Sequence, residues 1–181
     1  TKAVDISRLE IEAGDWLVFG EFAEHYLVNI DGREHDRIVQ FILDTGYPRM
    51  LMAALDRRSE WEKAYGAYLL GLLRHEPAAS RIAQLVMHKS SIVSITAFEA
   101  LTRIEPVTRH EALVRRILNN RDVGQSKFSD VILRCGSGIF PMLMRLLDDP
   151  GVNNTGRRRI IDVLAFRNVV ESGPLITRLA G

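Results

Sequence analysis

The sequence predicts an all-α protein, a right-handed α-solenoid built from antiparallel helix pairs. Three observations carry that expectation. Apolar residues recur at helical spacing in segments separated by Pro, Gly, Ser and Asn, and alternating apolar runs closed by Asn-Gly or Asp-Gly turns are absent. All six prolines stand where helix ends or first turns are expected, the places where a missing N–H costs least. A five-residue pattern also returns every 31 or 32 residues, as in repeats whose helix pairs cannot bury an apolar face alone and so stack on their neighbours.

Periodicity predicts helices over 7–28 and 33–45. The next, 48–57, opens on Pro48. Ser59 and Glu62 form an S-x-x-E capping box that starts 60–73. Pro77 precedes 78–88, and Pro106 follows 91–104. Thr108 and Glu111 repeat the capping box ahead of 109–119. Gly136 ends 126–135; Ser137 is expected to cap 138–148, which carries Pro141 in its first turn. Pro150 follows that helix, Thr155 caps 155–167, and Pro174 lies in the first turn of 171–180. The connections are short, so successive helices should run antiparallel.

The repeat is anchored on Lys63, Gly66, Ala67, Leu69 and Leu70. It returns as Ser94, Ala97, Phe98, Ala100 and Leu101, then as Ser126, Ser129, Asp130, Ile132 and Leu133, then as Arg157, Ile160, Ile161, Val163 and Leu164. Gly66 and Gly71 stand inside a helix, where each costs roughly 0.8–1 kcal/mol relative to Ala. Small residues at positions 66 and 97 let two helix backbones approach closely, and that packing offsets the lost propensity. Residues 1–46 are read as an N-terminal helical cap. Residues 47–181 hold about four repeat pairs, the last incomplete, in one continuous domain.

These repeats resemble the HEAT family, in particular its short bacterial variety, also found in phycobilin-lyase-type proteins. Its pattern is roughly L-L-x-D-P, a short turn, then V-R-x-x-A-A-x-A-L-G. Leu146-Leu147-Asp148-Asp149-Pro150 matches the first half, and Lys63 to Gly71 and Val93 to Leu101 match the second. The motif's Arg position is held by Lys63, Ser94, Ser126 and Arg157, and its Asp position by Asp56 or Asp149. The resemblance implies a fold and a habit of binding other proteins. It implies no catalytic residue.

Composition bounds the partners. The chain has 181 residues, 46% of them hydrophobic and 26% charged, with a formal net charge of +1. No bulk field therefore drives it toward nucleic acid or membrane. Arg outnumbers Lys by 20 to 4. Cys135 is the single cysteine, so an intrachain disulfide and a Cys-based metal site are excluded. That fits a reducing, cytoplasmic compartment. No apolar run reaches the roughly 18 residues that a membrane span needs, and no signal peptide is visible. The chain begins at Thr1, so an anchor outside it is left open.

Candidate chemistry is sparse. His75-Glu76 and His110-Glu111 begin like H-E-x-x-H, but neither has the second His. Glu34-His35-Asp36 cannot converge on one ion from consecutive helical positions. Cys135-Gly-Ser-Gly138 lacks both a base for a thiol nucleophile and the Lys of a phosphate loop. No catalytic residue, cofactor or metal is expected. Arg157-Arg158-Arg159 lie in a turn whose equivalents carry Arg57-Arg58, Lys89, and Arg121 with Lys127, and together they predict a weakly anion-binding ridge, open to nucleic acid, anionic lipid or an acidic protein.

The leading functional expectation is a non-enzymatic scaffold or adaptor that holds a protein or peptide in its concave face. The second helix of each pair would present Tyr65, Tyr68 and Leu72, then Thr96, Glu99 and Arg103, then Phe128, Val131 and Cys135, then Arg159, Asp162 and Phe166. Tyr65 and Tyr68 would anchor the partner, and Glu99 and Arg103 would orient it. The resemblance also leaves open an enzyme or enzyme subunit, similar to alkylpurine DNA glycosylases or bilin lyases, or the soluble repeats of a membrane-anchored protein.

Overall fold

The computed structural model describes residues 12, 14–30 and 32–166. Among these residues there are ten α-helices and no strand. They are α1 (Trp16–Asn29), α2 (Gly32–Asp44), α3 (Tyr47–Ala54), α4 (Glu60–Leu72), α5 (Ala79–Leu85), α6 (Ser91–Ile104), α7 (Glu111–Asn119), α8 (Gln125–Arg134), α9 (Phe140–Leu147) and α10 (Asn154–Phe166). The helix expected over 171–180 and the first residues of that expected over 7–28 lie outside the described residues. No helix among the described residues is long and apolar enough to cross a membrane.

Three short 3-10 turns, Glu76–Ala78, Val107–Arg109 and Ser137–Ile139, lead into α5, α7 and α9. They shorten the helices that sequence places there. Glu111 therefore starts α7 after His110, and Thr108 falls inside the turn instead of capping the helix. Likewise Ser137 opens a turn, and α9 begins at Phe140 with no side-chain cap. Gly136 ends α8 with φ +75°, a left-handed conformation that favours glycine.

The Ser59 cap is present, its Oγ accepting the Glu62 N–H at 3.3 Å. Glu62 does not complete the capping box, because its carboxylate takes Arg57 at 2.5 Å. At α10 the cap is Asn153 rather than Thr155: Asn153 Oδ1 accepts the Gly156 N–H at 2.8 Å. Asn153 also donates its own N–H to Asn119 Oδ1 at 2.9 Å, which ties this cap to the end of α7.

Helix α4 lies between α3 and α6, and its two interior glycines face opposite neighbours. A Cβ on Gly66 would stand 3.1 Å from both Ala54 Cβ and the Leu51 carbonyl of α3. A Cβ on Gly71 would stand 2.7 Å from Ala100 Cα and Cβ of α6. The propensity lost at each glycine is thus exchanged for a close helix contact. α5 packs on α6, α9 on α10, and α8 on both α6 and α10, while α1 packs on α2 and α4. One apolar core cluster runs from Trp16 to Leu164.

Burial corrects the register of the third aligned stretch. Gly66, Ala97 and Ile160 are buried, as are Leu70, Leu101 and Leu164 four residues on. In α8 the buried pair is Phe128 and Ile132, while Ser129 and Leu133 are only half-buried. The third stretch therefore stands 31 residues after the second, one residue earlier than the Leu133 alignment. A phenylalanine fills the place of Gly66 and Ala97. That bulk is incompatible with a tight pair, and the main packing of α7 is on α10 rather than on α8.

Lys63, Ser94 and Arg157, aligned in the sequence, share one role. Lys63 Nζ donates to the Leu55 carbonyl at 2.9 Å, Ser94 Oγ to the Val86 carbonyl at 2.7 Å, and Arg157 Nη2 to the Asp149 carbonyl at 3.3 Å. Each acceptor lies eight residues back, at the C-terminal end of the preceding helix, where carbonyls lack intrahelical donors. In the corrected register Gln125 takes the place read for Ser126; both are exposed, Gln125 Nε2 donates to Ser129 Oγ at 3.3 Å, and α7 is served from elsewhere. Arg159 Nη1 donates to the carbonyls of Ile117, Leu118 and Asn120 at 3.2, 3.0 and 2.8 Å, and Nη2 donates to that of Val123.

Candidate functional site

Trp61, Tyr65 and Tyr68 fall at i, i+4 and i+7 of α4 and so share one helix face. Their rings form a ladder. Trp61 stacks on Tyr65 with centroids 5.0 Å apart and an interplanar angle of 16°, and Tyr65 on Tyr68 at 6.5 Å and 26°. Trp16 of α1 closes on Trp61 at 6.3 Å and on Tyr65 at 6.1 Å, and the Arg57 guanidinium lies 5.4 Å over the Trp16 ring. Gly20 makes this junction possible. A Cβ there would meet the Tyr47 hydroxyl at 2.6 Å and the Tyr65 hydroxyl at 2.9 Å. The Tyr47 hydroxyl donates to the Trp16 carbonyl at 2.9 Å, which holds α1 to α3.

Glu99 of α6 is buried, only 6% exposed, and gathers three cations. Arg134 of α8 lies 2.7 Å away, Arg103 of α6 2.9 Å and Lys127 of α8 3.5 Å. Such burial is tolerable for a carboxylate because each oxygen is paired. Arg103 also lies 5.4 Å over the Tyr68 ring, so the ion cluster and the aromatic ladder meet there.

Between them lies an open cleft of about 320 Å³, lined by Trp61, Tyr65, Tyr68, Ile92, Glu99 and Arg134 among others. A second cleft of about 410 Å³ shares Ile92, Thr96 and Lys127 with it and continues to Asp122 and Gly124. A third, which shares Tyr68 with the first, is lined by Glu21, Glu24 and His25 of α1. Together they form a groove across α1, α4, α6 and α8 that is acidic at one end and basic at the other. Trp61 and Ile92 project into it 54% and 65% exposed.

The tyrosines are held neutral. Burial, with Glu24, Glu21 and Tyr68 nearby, pushes Tyr65 up to about 12. Burial and then Glu24 raise Tyr68. Burial also pushes the Cys135 thiol up to about 11, and its Sγ donates to the Val131 carbonyl at 3.3 Å. Cys135 is therefore a protonated packing residue at neutral pH and not an activated nucleophile. Among the described residues no three His, Cys, Asp or Glu side chains are placed to hold a metal ion.

The expected stripe is redistributed. Tyr65, Tyr68, Glu99 and Arg103 come together as the wall of the groove. Phe128 does not: it is fully buried beneath the Arg159 guanidinium, a consequence of the shifted register. With the register corrected, Lys127 and Arg134 take the positions equivalent to Thr96 and Arg103, and both line the groove. Asp162 and Phe166 are exposed on α10, away from these clefts. Trp61, Ile92 and Arg134 were not among the expected partner-binding residues. For Trp61 the signal was its i, i+4, i+7 spacing to the tyrosines, and for Arg134 its place 31 residues after Arg103.

The three-arginine run does not form a ridge. Arg157 bonds the Asp149 carbonyl, Arg158 is exposed, and Arg159 is 4% exposed in the core. Arg57 is exposed but engaged by Glu62 and Trp16, and Arg58, Lys89, Arg121, Lys127 and Arg158 are exposed as well. No protein-family model, curated protein or solved structure matches the chain.

Proposed function

We propose that the chain is a HEAT-like α-solenoid acting as a non-enzymatic scaffold or adaptor, with the groove across α1, α4, α6 and α8 as its seat for a protein or peptide. The carrying observation is the stacked Trp61–Tyr65–Tyr68 ladder beside the exposed Ile92, framed by Arg103, Lys127 and Arg134. Preordered aromatic surface binds at low entropic cost, and Trp, Tyr and Arg are the side chains enriched at energetic centres of interfaces. The ladder is preordered by Trp16, by Gly20 and by the Tyr47 hydrogen bond. The solenoid reading is supported by the stacking of α4 on α6, the repeated eight-residue ties and the 3-10 turns that precede α5, α7 and α9.

The test is affinity capture from the source cells with the wild-type chain and with Trp61→Ala/Tyr68→Ala. The double variant should lose the captured partner while its helical circular dichroism is retained. Undiminished capture would place the binding surface elsewhere.

A further inference from the structure

The geometry points to an acidic, charge-polarised peptide segment as the groove's occupant: an apolar side chain between Trp61 and Ile92, with a carboxylate on the α8 side. This inference rests on the reading of the groove as a peptide site and adds the chemistry of what fills it.

Charge is the first argument. At the α8 end a single carboxylate, Glu99, faces Arg103, Lys127 and Arg134. Glu99 is buried and its oxygens are already shared, whereas the Lys127 and Arg134 side chains are 50% and 62% exposed. Both cations therefore keep donors free for an incoming anion, because an ammonium carries three and a guanidinium five. Arg103 Nη1 is buried with no hydrogen-bond partner among the described residues. Asp122 in the adjoining cleft offsets one positive charge and leaves the end net basic.

Direction is the second argument. At the α1 end Glu21 and Glu24 line the cleft that adjoins through Tyr68, with His25 beside them. A carboxylate there would face like charge, which costs affinity and rejects that orientation. An acidic peptide is thus accepted with its carboxylate toward α8 and not reversed. The shape of the site requires an apolar residue between the ends, because Trp61 and Ile92 are the exposed large apolar side chains of the central cleft. A nucleic acid would meet the Glu21–Glu24 end and the buried Glu99 along its track, which disfavours a polyanion with evenly spaced charge.

The experiment is selection of a random short-peptide phage library on the full chain at low salt, followed by fluorescence anisotropy of the enriched peptides. The expected consensus has Asp or Glu on one side of an apolar residue. Lys127→Gln/Arg134→Gln should weaken such a peptide by about tenfold or more, added salt should weaken it too, and Arg58→Gln/Arg158→Gln, outside the groove, should not. Gln leaves an amide donor beside the buried Glu99 in place of each cation, and circular dichroism verifies that each variant is folded. Enriched neutral or basic peptides that still require Trp61 and Tyr68 would overturn the acidic assignment and leave the groove reading standing. Peptides that bind Trp61→Ala/Tyr68→Ala equally well, or no enrichment at all, would overturn both.

Discussion

Arg159 Nη1 lies 3.0 Å from the carbonyl oxygen of Leu118, across 41 residues of chain. With its bonds to Ile117, Asn120 and Val123, this one guanidinium serves the carbonyl end of α7 and the loop after it. Replacing Arg159 with Ala would leave buried carbonyls without donors, at a cost of about 3 kcal/mol or more. Arg159→Lys should recover only part, because an ammonium cannot reproduce a fork that spans four acceptors. Urea denaturation of the three proteins checks both expectations. Equal midpoints for wild type and Arg159→Ala would contradict this role.

Gly71→Ala should destabilise the fold even though it raises helix propensity. Ala is favoured over Gly by roughly 0.8–1 kcal/mol in an unobstructed helix. Here the new methyl would stand 2.7 Å from Ala100 Cα and Cβ, with backbone behind it. Overpacking of that kind costs about 1–3 kcal/mol, so a net loss of up to about 2 kcal/mol is expected. The sign of the change in thermal midpoint decides between a packing glycine and a tolerated one.

The shifted register of α8 predicts an ordering among neighbours. Ile132 is fully buried and Leu133 only half-buried. Ile132→Ala should cost about 2–5 kcal/mol and Leu133→Ala distinctly less. Phe128→Ala should match or exceed Ile132→Ala, at about 3–5 kcal/mol. Chemical denaturation that ranked Leu133→Ala above Ile132→Ala would restore the later alignment.

The alkaline limb of stability is expected to depend on Tyr65. Its pKa is pushed up to about 12 from the ordinary 10, chiefly by burial. Between those values the unfolded chain has lost the phenolic proton while the folded chain still holds it. Stability is therefore intact below pH 10 and falls as pH rises toward 12. Tyr65→Phe should lessen that fall without removing it, because burial raises Tyr47 and Tyr68 as well. Denaturation midpoints taken across the range, with tyrosinate absorbance followed alongside, measure it, and identical pH slopes in both proteins would refute it.

Helix content was legible because apolar spacing, prolines and caps agree. Helix α6 was expected over 91–104 and spans those residues, and α4 was expected over 60–73 and ends one residue earlier. Caps were harder. Asn153 and Thr155 are both plausible caps by type, and the Asn119 side chain that settles the matter comes from 34 residues away. The third aligned stretch misled because Phe128 occupies a position held by small residues elsewhere, where it is fully buried beneath the Arg159 guanidinium. For the groove, Tyr65, Tyr68, Glu99 and Arg103 could be placed from helical phase alone. Lys127 and Arg134 could not, since they depended on that misassigned register. The fate of Arg159 was equally hidden, because its neighbours Arg157 and Arg158 read as one charged run while their side chains leave the helix in three directions.

The Arg159 bonds carry a consequence for how the chain comes apart. In a simple linear array each unit leans only on the next, and the end unit can fray or be removed while the rest survives. Here α10 supplies donors to the end of α7, and Asn119 in turn receives the cap residue of α10. Losing α10 would therefore damage α7 as well. The segment from α7 to α10 is expected to open as one cooperative block, with a shared hydrogen-exchange protection that a terminal helix in an independent-unit array would not possess.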